Sequence, residues 1–144
     1  TILMSIKNKK LLIEIKKEKD EKFDLEKFYN IIKKYNLENI MIHSFNIEII
    51  EKLRKKDSKL NLGILIGFLN LDEKLKMNTN FISIEHSIIT KEILENQLNI
   101  GKSINLWTVN EYKEIKKIEK NLSNLFSKVN IITDNPYLIQ KYLK

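Results

Sequence analysis

LLIEIK, residues 11–16, is a short aliphatic run that carries a carboxylate and an ammonium group near its end. Successive side chains on a strand point to opposite faces, so the odd-numbered residues of this run share one wholly apolar face. Glu14 and Lys16 lie together on the other face. The run therefore predicts a strand with one apolar side and one side that becomes polar at its C-terminal tip.

Similar runs follow at intervals along the chain, and segments of helical period lie between them. In those segments apolar residues recur three and four positions apart, which is typical of amphipathic helices. Strands that alternate with helices predict βα units and a parallel sheet. Residues 67–80 are hardest to assign and predict at most a short helix near 71–77. The predicted strands are residues 11–16, 39–45, 60–66, 81–86, 103–109 and 128–134.

Polar residues mark where several of these helices should begin. Asn46, Thr90 and Asn110 each precede a segment of helical period, and their side chains suit the N-cap position. Asn135 is followed by Pro136, which fits an N-cap with proline at the first helical position. We therefore expect helices to start directly after these four polar residues.

The length of 144 residues is typical of one domain, and we expect a single domain over residues 1–144. With 42% hydrophobic and 31% charged residues, the composition is that of a folded protein. The chain begins with Thr1 rather than methionine, so we expect that preceding sequence was removed or is not recorded.

Cysteine is absent, which excludes disulfides and cysteine-based zinc sites. No apolar run approaches the roughly 18 residues of a membrane-spanning helix, and no signal-peptide pattern opens the chain. We therefore expect no membrane span. These observations do not identify the cellular compartment, and we slightly favour the cytoplasm.

The net charge of +7 raises the question of a nucleic-acid partner. Of the 26 basic residues only Arg54 is an arginine, the usual reader of base edges and phosphates. The lysines are interspersed with 19 acidic residues. We therefore interpret the charge as a lysine-rich solvated surface and expect no nucleic-acid partner.

The repeated βα pattern fits either a doubly wound open sheet or part of a (β/α)8 barrel. Length favours the open sheet, because a complete barrel takes about 250 residues. The strand ends favour the barrel, because functional groups are spread over many strands, whereas a doubly wound sheet gathers them near one switch point. The polar or aromatic residues at the predicted strand ends are Glu14, Lys16, Ser44, Phe45, Glu85, His86, Trp107, Thr108, Asn110, Thr133 and Asp134.

Four of these stretches together resemble a known family. LLIEIK, IHSFN, LWTVN and IITDNP, in this order and at these intervals, are similar to the C-terminal part of the glycerophosphodiester phosphodiesterases. The resemblance covers nearly the whole chain, up to about Pro136. It implies an α/β fold of the incomplete (β/α)8 TIM-barrel class, with six parallel βα units corresponding to strands three to eight of the family's eight. It also implies hydrolysis of glycerophosphodiesters to glycerol 3-phosphate and an alcohol, with calcium or magnesium as cofactor.

The resemblance assigns roles to several residues of this chain. Glu14 would be a metal-ligating carboxylate, and Lys16 would neutralise phosphate oxygens. Hard cations take oxygen ligands and a reacting phosphodiester needs nearby positive charge, so this pair suits the chemistry. Phe45 and Trp107 match positions that line the family's substrate pocket. Asp134, in the closing motif, is expected to be mainly structural.

The departures from the family limit what the chain should do. The family's two catalytic histidines lie in a His-Arg-Gly motif on the first strand and in a His-Asp pair after the second, and two more metal carboxylates come from the second strand. This sequence contains neither motif. The resemblance therefore implies no catalytic residue in this chain, no catalysis by the chain alone and no tightly bound cation, because one carboxylate is a fraction of a multi-oxygen site.

Three polar residues are weighed and set aside as catalytic groups. His43 and His86 do not stand where the family keeps its catalytic pair, and neither has an acidic partner apparent in the sequence, so both are expected to be ordinary polar residues. Ser44 has no apparent histidine and acid, which argues against a serine nucleophile.

Three functional hypotheses remain. The first is a C-terminal fragment of a metal-dependent glycerophosphodiester phosphodiesterase, with a small glycerophosphodiester as ligand. The second is a degenerate relative that serves as a binding or structural module, and the third, less favoured, is a basic nucleic-acid-binding α/β domain. Because six of eight strands leave open edges, we also expect either the missing N-terminal segment or a second copy of the chain as a partner.

Overall fold

The chain divides into two compact units in a computed structural model that describes residues 9–16 and 23–143. The first unit is Thr1–Leu65 and the second is Ile66–Lys144. The single domain over residues 1–144 stays a prediction. Within the described ranges, no helix is long and apolar enough to cross a membrane.

The first unit contains parallel strands in the order β1, β2, β3. Glu14 on β1 pairs with His43 on β2, and Ser44 pairs with Ile64 on β3. This register brings the polar end of β1 beside the end of β2. The elements of this part of the chain are β1 (Leu11–Glu14), α1 (Leu25–Ile32), a 3₁₀ helix (Leu37–Asn39), β2 (Ile40–Ser44), α2 (Ile47–Lys56) and β3 (Asn61–Ile66).

The second unit repeats the pattern with parallel strands in the order β4, β5, β6. Ser83 pairs with Asn105, and Asn105 pairs with Asn130, so three polar residues lie side by side across the strands. Its elements are α3 (Leu71–Leu75), β4 (Phe81–Glu85), α4 (Lys91–Asn99), β5 (Ser103–Trp107), α5 (Tyr112–Leu122), a 3₁₀ helix (Ser123–Lys128), β6 (Val129–Ile131) and α6 (Pro136–Tyr142).

All six predicted strands are present, and each is shorter than its predicted range. The largest difference is the last strand, predicted over residues 128–134 and found only at Val129–Ile131. Lys128 still belongs to the preceding 3₁₀ helix, and the backbone turns after β6 to reach the N-cap Asn135. The predicted short helix near residues 71–77 is confirmed as α3.

Three of the four predicted N-caps are confirmed. The side chains of Asn46, Thr90 and Asn135 each accept a hydrogen bond from the first turn of their helix, at 3.1, 3.2 and 3.2 Å. The prediction for Asn110 is wrong, because α5 begins one residue later, with Glu111 as its N-cap. The Asn110 side chain instead bonds to the segment that follows β6.

Buried side chains, most of them aliphatic, form the core of each unit. On α2, Ile50 and Leu53, which lie three positions apart, are buried, and Ile49 is buried beside them. Burial of such side chains stabilises a fold by about 1.5–3 kcal/mol each. Fully buried core residues include Ile42, Leu53, Leu62 and Ile64 in the first unit and Phe81, Ile82, Ile84, Leu94, Ile104 and Leu106 in the second.

Candidate functional site

The end of β1 carries the two charged groups that the sequence singles out. Glu14 is the last residue of the strand, and the Nζ atom of Lys16 lies 3.9 Å from its Oε2 atom. The side chains are 34% and 80% exposed, respectively. An ion pair this exposed contributes about 0–1 kcal/mol to stability. Stabilisation of the fold therefore does not explain why these two charged residues lie here.

A cavity of about 330 Å³ lies at this end of the first unit. It brings together three of the predicted site residues, Glu14, Lys16 and Phe45, although their roles stay predictions. The Phe45 side chain is 46% exposed, so part of its ring faces solvent. The residues that line the cavity are Glu14, Ile15, Lys16, Ser44, Phe45 and Asn46.

Ser44 joins the two strand ends that form this cavity. Its buried hydroxyl donates to the carbonyl oxygen of Ile15 at 2.6 Å and accepts from the backbone N–H of Asn46 at 3.1 Å. The N–H of Ile15 also donates to the carbonyl of His43 at 2.9 Å. These bonds fix the backbone between Glu14 and Lys16. The only signal for this role in the sequence is weak, a small hydroxyl residue at the end of a buried strand.

Replacing Ser44 with alanine is expected to lower the free energy of unfolding by about 1–3 kcal/mol, because the buried carbonyl of Ile15 loses its hydroxyl donor. It should also speed hydrogen exchange at the Ile15 amide. Urea denaturation and amide exchange measure both effects. Ser58→Ala, at an exposed position of the same unit, is the control. An unchanged midpoint in Ser44→Ala would contradict the anchoring role.

His43 lies in the same unit but is buried, with 5% of its surface exposed. Burial lowers the pKa of its imidazole from 6.5 to about 4. The side chain is therefore neutral near pH 7. This agrees with the expectation of an ordinary polar residue.

Trp107, the fourth predicted site residue, belongs to the second unit and ends β5. Its Nε1–H donates to the carbonyl oxygen of Ser83 at 2.8 Å, which fixes the orientation of the indole ring. Behind it, the amide of Asn105 donates to the Ser83 hydroxyl at 3.3 Å and accepts from the Asn130 amide at 3.0 Å. A hydrogen-bonded ladder of polar side chains thus crosses β4, β5 and β6.

Asn110 links the segments that follow β5 and β6. Its Nδ2 atom donates to the carboxylate of Asp134 at 2.8 Å, and its Oδ1 atom accepts from the Asp134 N–H at 2.9 Å and the Thr133 hydroxyl at 3.0 Å. Because these bonds occupy the Asn110 amide, it does not cap α5. The contacts of Asp134 fit its expected structural role.

His86 differs most from its prediction. It was expected to have no acidic partner, but its Nε2 atom lies 3.6 Å from Glu85 and 3.6 Å from Glu114. Glu114 lies on α5, far from His86 along the chain, so the sequence pattern did not reveal the contact.

The described residues do not by themselves fit a divalent cation. Within residues 9–16 and 23–143, the structure has no group of three or more histidine, aspartate or glutamate side chains that could hold a metal ion. Glu14 offers one carboxylate, whereas calcium and magnesium take about six to eight oxygen ligands. Any cation at Glu14 would need most of its ligands from outside these residues.

The fold of this chain is similar to several solved structures. A candidate glycerophosphodiester phosphodiesterase of Galdieria sulphuraria matches 99% of this chain with a TM-score of 0.77 and 21% identity, over 60% of its own length. The glycerophosphodiester phosphodiesterase of Thermotoga maritima matches 94% of this chain with a TM-score of 0.68 and 23% identity, over 57% of its length. A phosphodiesterase of Oleispira antarctica, solved with its product sn-glycerol-3-phosphate, matches 83% with a TM-score of 0.65 and 14% identity, over 48% of its length.

These matches establish the fold class. The chain spans between 48% and 60% of the lengths of these three proteins. The resemblance to glycerophosphodiester phosphodiesterases is confirmed at the level of fold, and so is the prediction of an incomplete (β/α)8 barrel with six parallel βα units. No family model matches the sequence, and no curated protein matches it.

Proposed function

We propose that this chain is the C-terminal part of a metal-dependent glycerophosphodiester phosphodiesterase and forms a single domain with the rest of that protein. The observation that carries the proposal is the cavity that brings Glu14, Lys16 and Phe45 together at the ends of β1 and β2. The fold similarity supports it, and so does the glycerol 3-phosphate bound by the Oleispira antarctica enzyme. The reaction would convert a glycerophosphodiester to glycerol 3-phosphate and an alcohol.

Each residue has a chemical task in this proposal. The Lys16 ammonium group, which is 80% exposed, would bind the phosphate oxygens. The half-exposed ring of Phe45 would form an apolar wall for the glycerol carbons. Trp107 is the other residue that we propose as a pocket-lining group. Glu14 would give one oxygen to a cation whose other ligands come from the missing segment.

The chain would be inactive alone, because cleavage of a phosphodiester requires proton transfer to the leaving oxygen. His43 is buried and keeps its imidazole neutral down to about pH 4, so it does not replace a catalytic histidine. The required partner is then a segment that carries the His-Arg-Gly and His-Asp motifs. A second copy of this chain would supply neither motif, so it could cover the open edges without restoring activity.

The edge of β6 supports a partner that pairs along it. A cavity of about 500 Å³ lies here, and Leu143 in its lining is 48% exposed. Exposed strand edges with apolar surroundings are usually covered in native proteins. The lining residues are Phe126, Ser127, Val129, Asn130, Ile131 and Leu143.

Complementation tests the proposed function. The chain is co-expressed with an N-terminal family segment that carries both histidine motifs, and release of glycerol 3-phosphate from glycerophosphocholine is measured with calcium or magnesium. We expect activity only from the pair. Glu14→Gln and Lys16→Met should each reduce it about 100-fold or more, whereas Lys9→Met, at an exposed position before β1, should not. Activity of the chain alone would refute the proposed need for a partner segment. A stable but inert pair would refute the proposal and favour the binding-module hypothesis.

A further inference from the structure

A histidine and two carboxylates meet near the end of β4, outside the cavity of the first unit. The Nε2 atom of His86 lies 3.6 Å from an oxygen of Glu85 and 3.6 Å from an oxygen of Glu114. The three side chains are only 16%, 18% and 25% exposed, respectively. The group thus joins the end of a strand to the first turn of α5 in a partly buried environment.

Other hydrogen bonds hold both carboxylates in place. The Oε2 atom of Glu85 accepts from the hydroxyl of Ser87 and, at 3.2 Å, from its backbone N–H. The Oε2 atom of Glu114 accepts from the backbone N–H groups of Asn110 at 2.8 Å and Glu111 at 2.9 Å. In each carboxylate the remaining oxygen, Oε1, is the one that faces His86.

The surroundings keep Glu114 ionised. Partial burial alone would raise the pKa of its carboxyl, but the N–H groups of Asn110 and Glu111, together with the charges of His86 and Lys113, hold the pKa below its usual value. Two fixed anions therefore face one imidazole. A protonated imidazole can offset the electrostatic repulsion between the two carboxylates, whereas a neutral imidazole cannot.

Trp107 is coupled to this group through the backbone. The N–H of His86 donates to the carbonyl oxygen of Trp107 at 3.0 Å. The residues directly after Trp107 lead to Asn110 and Glu111, whose N–H groups bond to Glu114. The Trp107 carbonyl and the segment that follows it are thus both attached to the His86 group.

We propose that His86 is a pH-dependent positioning residue for Trp107, which as an imidazolium ties Glu85 on β4 to Glu114 on α5 and thereby fixes residues 108–111. Any effect on substrate binding rests on the proposed function, because it requires Trp107 to line the substrate pocket. The effect on residues 108–111 does not depend on the proposed function.

Histidine is the kind of side chain that ordinarily changes charge between about pH 5 and 8, whereas carboxylates and ammonium groups ordinarily titrate outside that range. The other charged groups nearby are Lys113, which pairs with Glu111 at 2.8 Å, and Asp134, which accepts from Asn110. His43, the only other histidine, belongs to the first unit and has a pKa of about 4.

Trp107 is the single tryptophan, so its fluorescence reports on this site in the full chain without any assay of activity. We expect its emission to change between about pH 5 and 8, and the exchange protection factors of residues 108–111 to fall about fivefold as the imidazole loses its proton. His86→Gln should remove both changes and Glu85→Gln should reduce them. His43→Gln should leave them intact.

Three outcomes would overturn the proposal. They are a pH-independent emission in the unmodified chain, a pH profile unchanged in His86→Gln, and tight zinc binding that His86→Gln abolishes, which would make the group a metal site. Failure of the complementation assay with these pH effects present would refute the proposed function alone. The two proposals therefore fail separately.

Discussion

The free energy of unfolding should fall by about 3 kcal/mol as the pH drops from about 6.5 to about 4, and His43 should cause most of this loss. In the folded protein, burial holds the pKa of His43 at about 4, whereas in the unfolded chain the imidazole titrates near 6.5. Between these values the unfolded state binds the proton and the folded state does not. The contribution of His43 to the free energy of unfolding is therefore fully present above about pH 6.5 and is lost as the pH falls through this window.

Urea denaturation at a series of pH values measures this effect. His43→Gln should flatten the profile between about pH 6.5 and 4, since glutamine carries no titrating group. His86→Gln is the matched control and should retain the loss, because it leaves His43 unchanged. A His43→Gln profile as steep as that of the parent would show that other groups cause the acid sensitivity.

Phe81→Ala should cost about 3–5 kcal/mol, because Phe81 is 0% exposed and its removal leaves a cavity in the second unit. That loss is a large share of the roughly 5–15 kcal/mol that stabilises a typical domain. Thermal and urea denaturation should show a much lower midpoint or an unfolded chain. The strand that holds Glu85 and leads into His86 would be disrupted with it.

Two other phenylalanines provide the controls for this substitution. Phe68 is 75% exposed, and Phe68→Ala should change the free energy of unfolding by less than about 0.5 kcal/mol. Phe45→Ala, at a 46% exposed position, should also leave most of the stability intact while weakening glycerophosphodiester turnover by the complemented pair. Equal destabilisation by all three substitutions would contradict the assignment of Phe81 to the core and Phe45 to the cavity.

The fold was predictable because its signal is local. Aliphatic runs such as residues 60–66 and helical stripes such as Ile50 with Leu53 reflect burial, and nearly all of these residues are buried in the structure. Strand ends were less predictable, since the residues between a strand and the next helix follow the strand without a break in the sequence. Thr133 and Asp134 illustrate this, because the pattern predicts them in the last strand but they follow β6 and lead to the cap of α6.

The candidate site was predictable only in part. Glu14, Lys16 and Phe45 could be assigned because short motifs carry them, and the structure brings them to one cavity. The partner of Ser44, and Glu114 as a neighbour of His86, could not be assigned, because Ser44 bonds to a residue distant in the sequence and Glu114 is similarly distant from His86 along the chain. Such contacts depend on register and on helix position, which composition and periodicity do not specify.

The bond between Ser44 and Ile15 has a consequence for how a split enzyme would assemble. It lies wholly within the first unit, so the backbone that carries Glu14 and Lys16 is ordered before any partner arrives. Association would then lose little conformational entropy at this edge. Its rate should scale with the concentrations of both chains, as in a bimolecular encounter between preformed surfaces, rather than being set by a slow folding step in this one.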